Sequence, residues 1–271
     1  MALVTVIVAC FFAAISGSGP ATVAALGMIL IPAMTNVGYD KSDSAALVSA
    51  SGAIGIIIPP SITFVIYGSI TGKSVGELFA SGIIPGILMG VLLILAMMFT
   101  YRGRELKLLP RATGRERLRA FVKAIPGLLM PVIILGGIYG GFFTPTEAAA
   151  VAAIYGIIVG FITRRLKLRD LWDLLVDSVS QTAVVMLIVG TASLFSYALT
   201  LTGIASDASS ALIDISGGNK YIFLLIVNVI LLIAGCFIDA NSAMYIIVPI
   251  LTPVAAALNI DLVHLGCIMV F

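Results

Sequence analysis

The chain has 271 residues, 61% of them hydrophobic and 10% charged, where a soluble domain carries about 25% charged residues. Runs free of Asp, Glu, Lys and Arg cover 1–39, 44–72, 78–101, 124–146, 148–163, 178–206, 221–238 and 240–260. These runs predict an all-α integral membrane protein and leave no room for a soluble domain. The net charge of +2, with most of the basic residues in two short loops rather than along one face, carries no nucleic-acid message.

Residues 1–15 and 21–34 are apolar arms around Ser16-Gly17-Ser18-Gly19-Pro20-Ala21-Thr22. Each is shorter than the ~20 residues of a full span, which predicts a re-entrant hairpin; an ordinary turn between two spans is the alternative. Gly17 and Gly19 allow positive φ at the tip, and Pro20 suits the first helical position of the second arm. The first charge is Asp40, so the start lacks the basic region of a secretory signal and reads as the interior of a longer protein.

The run 44–72 is long enough to cross a bilayer, yet Pro59 and Pro60 stand near its centre, preceded by Gly52 and Gly55. The prolines remove two backbone donors, and Pro60 moves Pro59 out of the α region. Carbonyls about one turn upstream then lose their intrahelical partners, which hydrocarbon tolerates only where protein, water or an ion satisfies them. A helix broken at mid-depth is therefore an expected binding site; a kink that serves packing alone is the alternative.

Residues 78–101 form a plain span that ends at a basic loop, 102–123. It holds Arg102, Arg104, Lys107, Arg111, Arg115, Arg117, Arg119 and Lys123 against Glu105 and Glu116. The positive-inside rule places this loop in the cytoplasm, with 114–123 either a basic helix on the membrane surface or solvated chain. Residues 125–142 cross outward to Thr144-Pro145-Thr146-Glu147, a capping box that starts a helix back to Arg164, Arg165, Lys167 and Arg169. A helix over 170–178 feeds a span over 179–203. The segment 204–219, with Asp207 and Asp214 and no Lys or Arg, reads as an outside loop.

Residues 221–238 and 243–258 flank Asp239-Ala240-Asn241-Ser242 as a second hairpin, with a full span over 221–238 as the alternative. Counted from the basic loop, the two hairpins enter from opposite faces, as an inverted-topology repeat produces. The expected division of this single membrane transport domain is 1–101 as first repeat, 102–123 as loop, 124–220 as connecting spans and 221–271 as the start of the second repeat. The spacing from Ser16 to Pro59, carried over to Asp239, puts a second break near about position 282, so the chain reads as a fragment truncated at both ends. Cys10, Cys236 and Cys267 lie in apolar runs and read as buried small hydrophobes with no disulfide.

This pattern suits ion-coupled transport. Sodium takes oxygen ligands, and the break frees carbonyls beside the hydroxyls of Ser16, Ser18 and Ser61 and the carbonyls of Gly17 and Gly19. Half-helix N-termini at the tips would meet a carboxylate, since no Lys or Arg lies in an apolar run. Asp239 reads equally as an intramembrane functional acid or a tip cap. An enzyme is not expected: His264 is the only histidine and has no metal-ligand partner motif, and no phosphate-cradling loop with Lys-Ser/Thr occurs.

Four stretches, SGSGPATVAALGMILIPAM (16–34), ASGAIGIIIPPSITFVIYG (50–68), GFFTPTEAAAVAA (141–153) and DANSAMYIIVPILTPV (239–254), resemble the DctM-like large membrane subunit of tripartite ATP-independent periplasmic (TRAP) transporters. The resemblance runs through essentially the whole chain. It implies an elevator-type, sodium-driven importer of dicarboxylates or sugar acids across the bacterial inner membrane. Its partners would be a small membrane subunit and a periplasmic substrate-binding protein. A stand-alone sodium-coupled carboxylate carrier of related architecture is the alternative. The family's tips and broken helices would place sodium at Ser16, Gly17, Ser18, Gly52, Gly55, Pro59 and Pro60. They would place substrate at Ser18, Thr22, Ser61, Asp239, Asn241 and Ser242. No cofactor beyond the coupling ion is implied, and the family's second Pro-Pro segment does not occur in this chain.

Overall fold

The computed structural model describes residues 1–103, 106 and 112–271; Arg104, Glu105, Lys107 and Arg111 of the expected basic loop lie outside the described residues. Among the described residues the helices are α1 (Ala2–Ser16), α2 (Gly19–Thr35), α3 (Lys41–Ile57), α4 (Ile62–Thr71), α5 (Val75–Thr100), α6 (Gly114–Tyr139), α7 (Pro145–Ile162), α8 (Leu168–Leu201), α9 (Ile204–Ser216), α10 (Lys220–Gly235), α11 (Ala240–Ala257) and α12 (Leu262–Val270). Six are long and apolar enough to cross a membrane when α3 and α4 count as one broken span, and seven when the bent pair α9 and α10 is added. The chain divides into two compact units, residues 1–62 with 79–159, and 63–78 with 160–271.

In the first unit, α1 and α2 run antiparallel: Thr5, near the start of α1, donates to the Met34 sulfur near the end of α2 at 3.3 Å. Their 15 and 17 residues span only about 22 and 25 Å, short of a ~30 Å hydrocarbon core. α3 lies along both arms. Ala9, Leu26, Leu30 and Val48 make one buried cluster, and Ala2, Val6, Met34, Leu47 and Ile54 join Tyr39 and Tyr101 in another. Small residues permit this close approach. A Cβ built on Gly19 would stand 3.2 Å from the Gly52 carbonyl oxygen, and one on Gly52 would run into Val23.

α5 closes on the same core, with Gly86 against Ile58 and Gly90 against Val6 and Ile54. Just past its end, Tyr101 stacks on Tyr39 with centroids 4.5 Å apart. The Tyr101 hydroxyl accepts the Asp40 N–H at 2.8 Å and donates to Asp43 at 2.6 Å, which ties the end of α5 to the start of α3. α6 joins the expected basic segment and the expected span into one helix. It opens on a capping box between Thr113 and Glu116. α7 opens on the predicted box: the Thr144 N–H and hydroxyl both donate to Glu147 at 2.8 Å, and the Glu147 N–H donates back at 3.3 Å.

In the second unit, α8 runs 34 residues without interruption, absorbing the helix and span predicted separately at 170–178 and 179–203. The outside loop expected at 204–219 is instead mostly α9. Acidic residues without Lys or Arg report a side of the membrane and say nothing of backbone conformation. Ser209, Leu212, Ile213 and Ser216, at helical spacing, are the buried and half-buried face of α9, and the Ser209 hydroxyl donates to the Ile250 carbonyl at 3.2 Å. Two left-handed glycines, Gly217 and Gly218, end α9 before a 119° bend into α10. Cys236, expected to be buried, is exposed in the turn that follows α10, where the chain leaves helix packing.

Candidate functional site

The first tip is set by one glycine. Gly17 takes φ 62° and ψ 8°, left-handed, and its N–H bonds to the Ala13 carbonyl at 2.8 Å, a helix ending that residues with a Cβ rarely adopt. Ser18 is then extended and precedes α2, yet its hydroxyl makes no capping bond. Its carbonyl instead accepts the Thr22 hydroxyl at 2.8 Å and the Ser16 hydroxyl at 3.5 Å. Pro20 occupies the second position of α2 rather than the first, with Gly19 ahead of it. The consequence is a helix N-terminus whose first-turn N–H groups have no side-chain cap, at the positive end of the helix dipole.

The break stands against this tip. α3 stops at Ile57, Ile58 turns extended, and a cis peptide joins Pro59 to Pro60. Neither proline can donate, so the carbonyls of Gly55 and Ile56 lose their helical partners. The Ser61 hydroxyl, fully buried, donates to the Ile56 carbonyl and restores one of the two. The Ile62 N–H donates to the Gly17 carbonyl at 3.3 Å, and a Cβ on Gly17 would stand 3.1 Å from the Pro60 carbonyl oxygen. A Cβ on Gly55 would stand 3.2 Å from the Thr22 hydroxyl oxygen. The structure thus gathers Ser16, Gly17, Ser18, Thr22, Gly52, Gly55, Pro59, Pro60 and Ser61 within the first unit. It adds Ser51, which the sequence reading missed. One turn before Gly55, Ser51 is fully buried, and its hydroxyl has no partner among the described residues.

The second tip lies in the second unit. Asp239 is extended, and its carboxylate accepts the N–H groups of Asn241 and Ser242 at 3.0 and 3.3 Å and the Ser242 hydroxyl at 2.5 Å. That is the cap geometry of a helix start. The Asn241 side-chain oxygen accepts the hydroxyl of Thr63, a buried α4 residue, at 3.0 Å. Sequence spacing gave no sign of Thr63, because the two residues are 178 positions apart. Among the described residues no group of three or more His, Cys, Asp or Glu side chains forms a metal-ligating cluster, so the oxygens at both tips come from hydroxyls, carbonyls and one capping carboxylate.

The family model described as "Tripartite ATP-independent periplasmic transporter, DctM component" matches residues 1–271. This chain belongs to the DctM family. It is similar to the C4-dicarboxylate TRAP transporter large permease protein DctM of Pseudomonas aeruginosa, at 44% identity over 271 residues, with 100% of this chain and 63% of the relative covered. It is similar also to the isethionate TRAP transporter permease protein DctMQ of Oleidesulfovibrio alaskensis, at 44% over 276 residues, covering 100% of this chain and 43% of the relative. The sialic acid TRAP transporter large permease protein SiaM of Vibrio cholerae is 36% identical over 264 residues, with 97% and 62% covered. The chain therefore spans less than two thirds of these relatives. As a DctM-family protein with six or more membrane-length helices, it is a multi-pass inner-membrane transport component, as the four stretches implied.

Proposed function

We propose that this DctM-family chain forms part of the transport path of a permease large subunit that imports small organic acids with sodium. In this reading a periplasmic binding protein delivers the acid and a small membrane subunit completes the permease. The observation that carries the reading is the apposition of an uncapped helix N-terminus and a proline-broken helix at Gly17, Pro60 and Ile62. The Gly55 carbonyl, the Ser18 hydroxyl and the Ser51 hydroxyl offer neutral oxygens to a hard monovalent ion. The dipoles of half-helices offer N–H groups to an anion, with no Lys or Arg buried among the described residues. The relatives' names, C4-dicarboxylate, isethionate and sialic acid, share an anionic carboxylate or sulfonate head, which supports that chemistry. The name DctMQ, on a relative of which this chain spans 43%, supports a second membrane component joined to or beside the first. In this reading one part of the bundle moves against another in the elevator manner and carries the site with it.

The test is reconstitution of the full-length permease in proteoliposomes, with uptake of labelled succinate, isethionate and sialic acid measured with and without the periplasmic binding protein. Uptake is expected only when an inward sodium gradient and the binding protein are both present, with no ATP. Equal uptake without the binding protein would identify a stand-alone sodium-coupled carrier, and uptake indifferent to sodium would overturn the coupling.

A further inference from the structure

Thr63, like Thr5, gives its hydroxyl to a partner outside its own helix. Thr22 and Thr71 turn their hydroxyls back to carbonyls four residues earlier, at 2.8 Å each, the common arrangement for a helical threonine. Thr63, 2% exposed, instead gives its hydroxyl to the Asn241 Oδ1. Its position is fixed by Tyr67, one turn further along the same face of α4. Tyr67 is fully buried, donates to the Leu262 carbonyl at 2.6 Å, and lies so close to Gly266 that a Cβ there would come within 2.5 Å of its ring.

Asn241 is the polar side chain at the second tip with unused capacity. The Asp239 carboxylate takes the Asn241 N–H, the Ser242 N–H and the Ser242 hydroxyl, so its charge is turned onto the start of its own helix. Asn241 is half-buried. Its Oδ1 is held by Thr63, and no acceptor meets its Nδ2 among the described residues. A carboxamide is nearly symmetric in shape, with acceptor and donors interchangeable by a half turn. A hydroxyl can meet either end, and here Thr63 donates to the oxygen, which leaves the NH2 as the outward end. An outward oxygen repels an anion, and an outward NH2 binds it.

We propose that Thr63 is a positioning residue for anion recognition: by holding the Asn241 Oδ1 it presents the Nδ2 to the carboxylate or sulfonate of the transported acid. This rests on the organic-acid reading given above. In detergent, with sodium present, the full-length permease is titrated with succinate, isethionate and sialic acid, and the rise in melting temperature gives a half-saturating concentration for each acid. Asn241→Ala and Thr63→Val should raise that concentration about five- to tenfold, on the scale of one hydrogen bond to a charged group, while Thr63→Ser stays within about twofold of wild type. The double variant should be no worse than Asn241→Ala alone, because the two act through one bond.

Asn241→Asp keeps an acceptor for Thr63 but exchanges Nδ2 for oxygen, so it should lose the acid response while its melting temperature without acid is kept. It decides the matter even where Thr63→Val does not fold. An acid response retained in Asn241→Asp overturns the proposal, as do an unchanged Thr63→Val midpoint, additive effects in the double variant, or equal loss in Thr63→Ser and Thr63→Val. A wild-type permease that none of the three acids stabilises, and that imports none, overturns the organic-acid reading and this inference together.

Discussion

A missing side chain at Gly52 is what lets α2 and α3 touch. A methyl group there collides with Val23 and presses on the Gly19 carbonyl, and overpacking of this kind costs about 1–3 kcal/mol. Gly52→Ala should therefore lower the melting temperature of the permease, and Val23→Ala in the same protein should recover part of the loss by opening the space. Ser18 and Ser16 differ in a way that spacing alone conceals. The Ser16 hydroxyl already has a long bond to the Ser18 carbonyl, whereas Ser18 makes no cap. Ser18→Ala should raise the sodium concentration for half-maximal uptake roughly five- to hundredfold, the scale of ~1–3 kcal/mol for one buried polar contact. Ser16→Ala should raise it less. No shift for Ser18→Ala in a normally expressed protein would show that its hydroxyl has no part in ion binding, and equal shifts would show that Ser16 contributes as much. Residues whose partners are local, such as Thr144 with Glu147, were legible from sequence because helix geometry fixes three-residue spacings. Ser61 was visible as a polar residue after two prolines, but which carbonyl it meets depends on how the chain turns at the break. Thr63 was invisible because its partner is distant in the chain.

The broken helix shows what an element can lose and still stand. α3 and α4 together cover 31 residues, about 46 Å of helix if continuous, and two prolines separate them. Replacing both by alanine returns an N–H donor to the free Gly55 carbonyl and a second that competes with Ser61 for the Ile56 carbonyl, so the helix gains hydrogen bonding while the site loses the Gly55 oxygen. The Pro59→Ala/Pro60→Ala protein should therefore insert and melt at or above the wild-type temperature yet lose sodium-dependent uptake, a combination that general misfolding does not produce. Wild-type uptake in that variant would reduce the break to packing. Elements were legible where periodicity and punctuation agree, as in both arms of the first hairpin, whose observed ends lie within two residues of the expected ones. They were illegible where the signal was charge, which reports side rather than shape. The segment 204–219 lacked Lys and Arg before Lys220, yet its apolar residues recur at helical spacing and fold as α9.

Across the whole molecule, membrane character follows from composition, and the structure shows where the apolar surface goes. α8 buries none of its residues, and Val179, Leu187 and Leu194 are more than 60% exposed. A face so apolar is stable only against lipid or another membrane chain, so the burial that sequence composition predicts is met outside this chain. The division into two units was not legible, because it assigns α4 to later helices through bonds such as Tyr67 to Leu262, 195 positions apart. Sidedness rests on the basic clusters flanking α6 and α7, since Lys and Arg accumulate on the cytoplasmic side. Ala112 lies within the first cluster, and Asp214 on α9 lies beyond the 34-residue α8 that leaves the second. Both are exposed. In intact cells expressing the full-length permease, a membrane-impermeant maleimide should label Asp214→Cys and leave Ala112→Cys unlabelled until the membrane is opened. If both positions react from outside, α8 does not cross, the two hairpins enter from the same face, and the inverted repeat is lost with them.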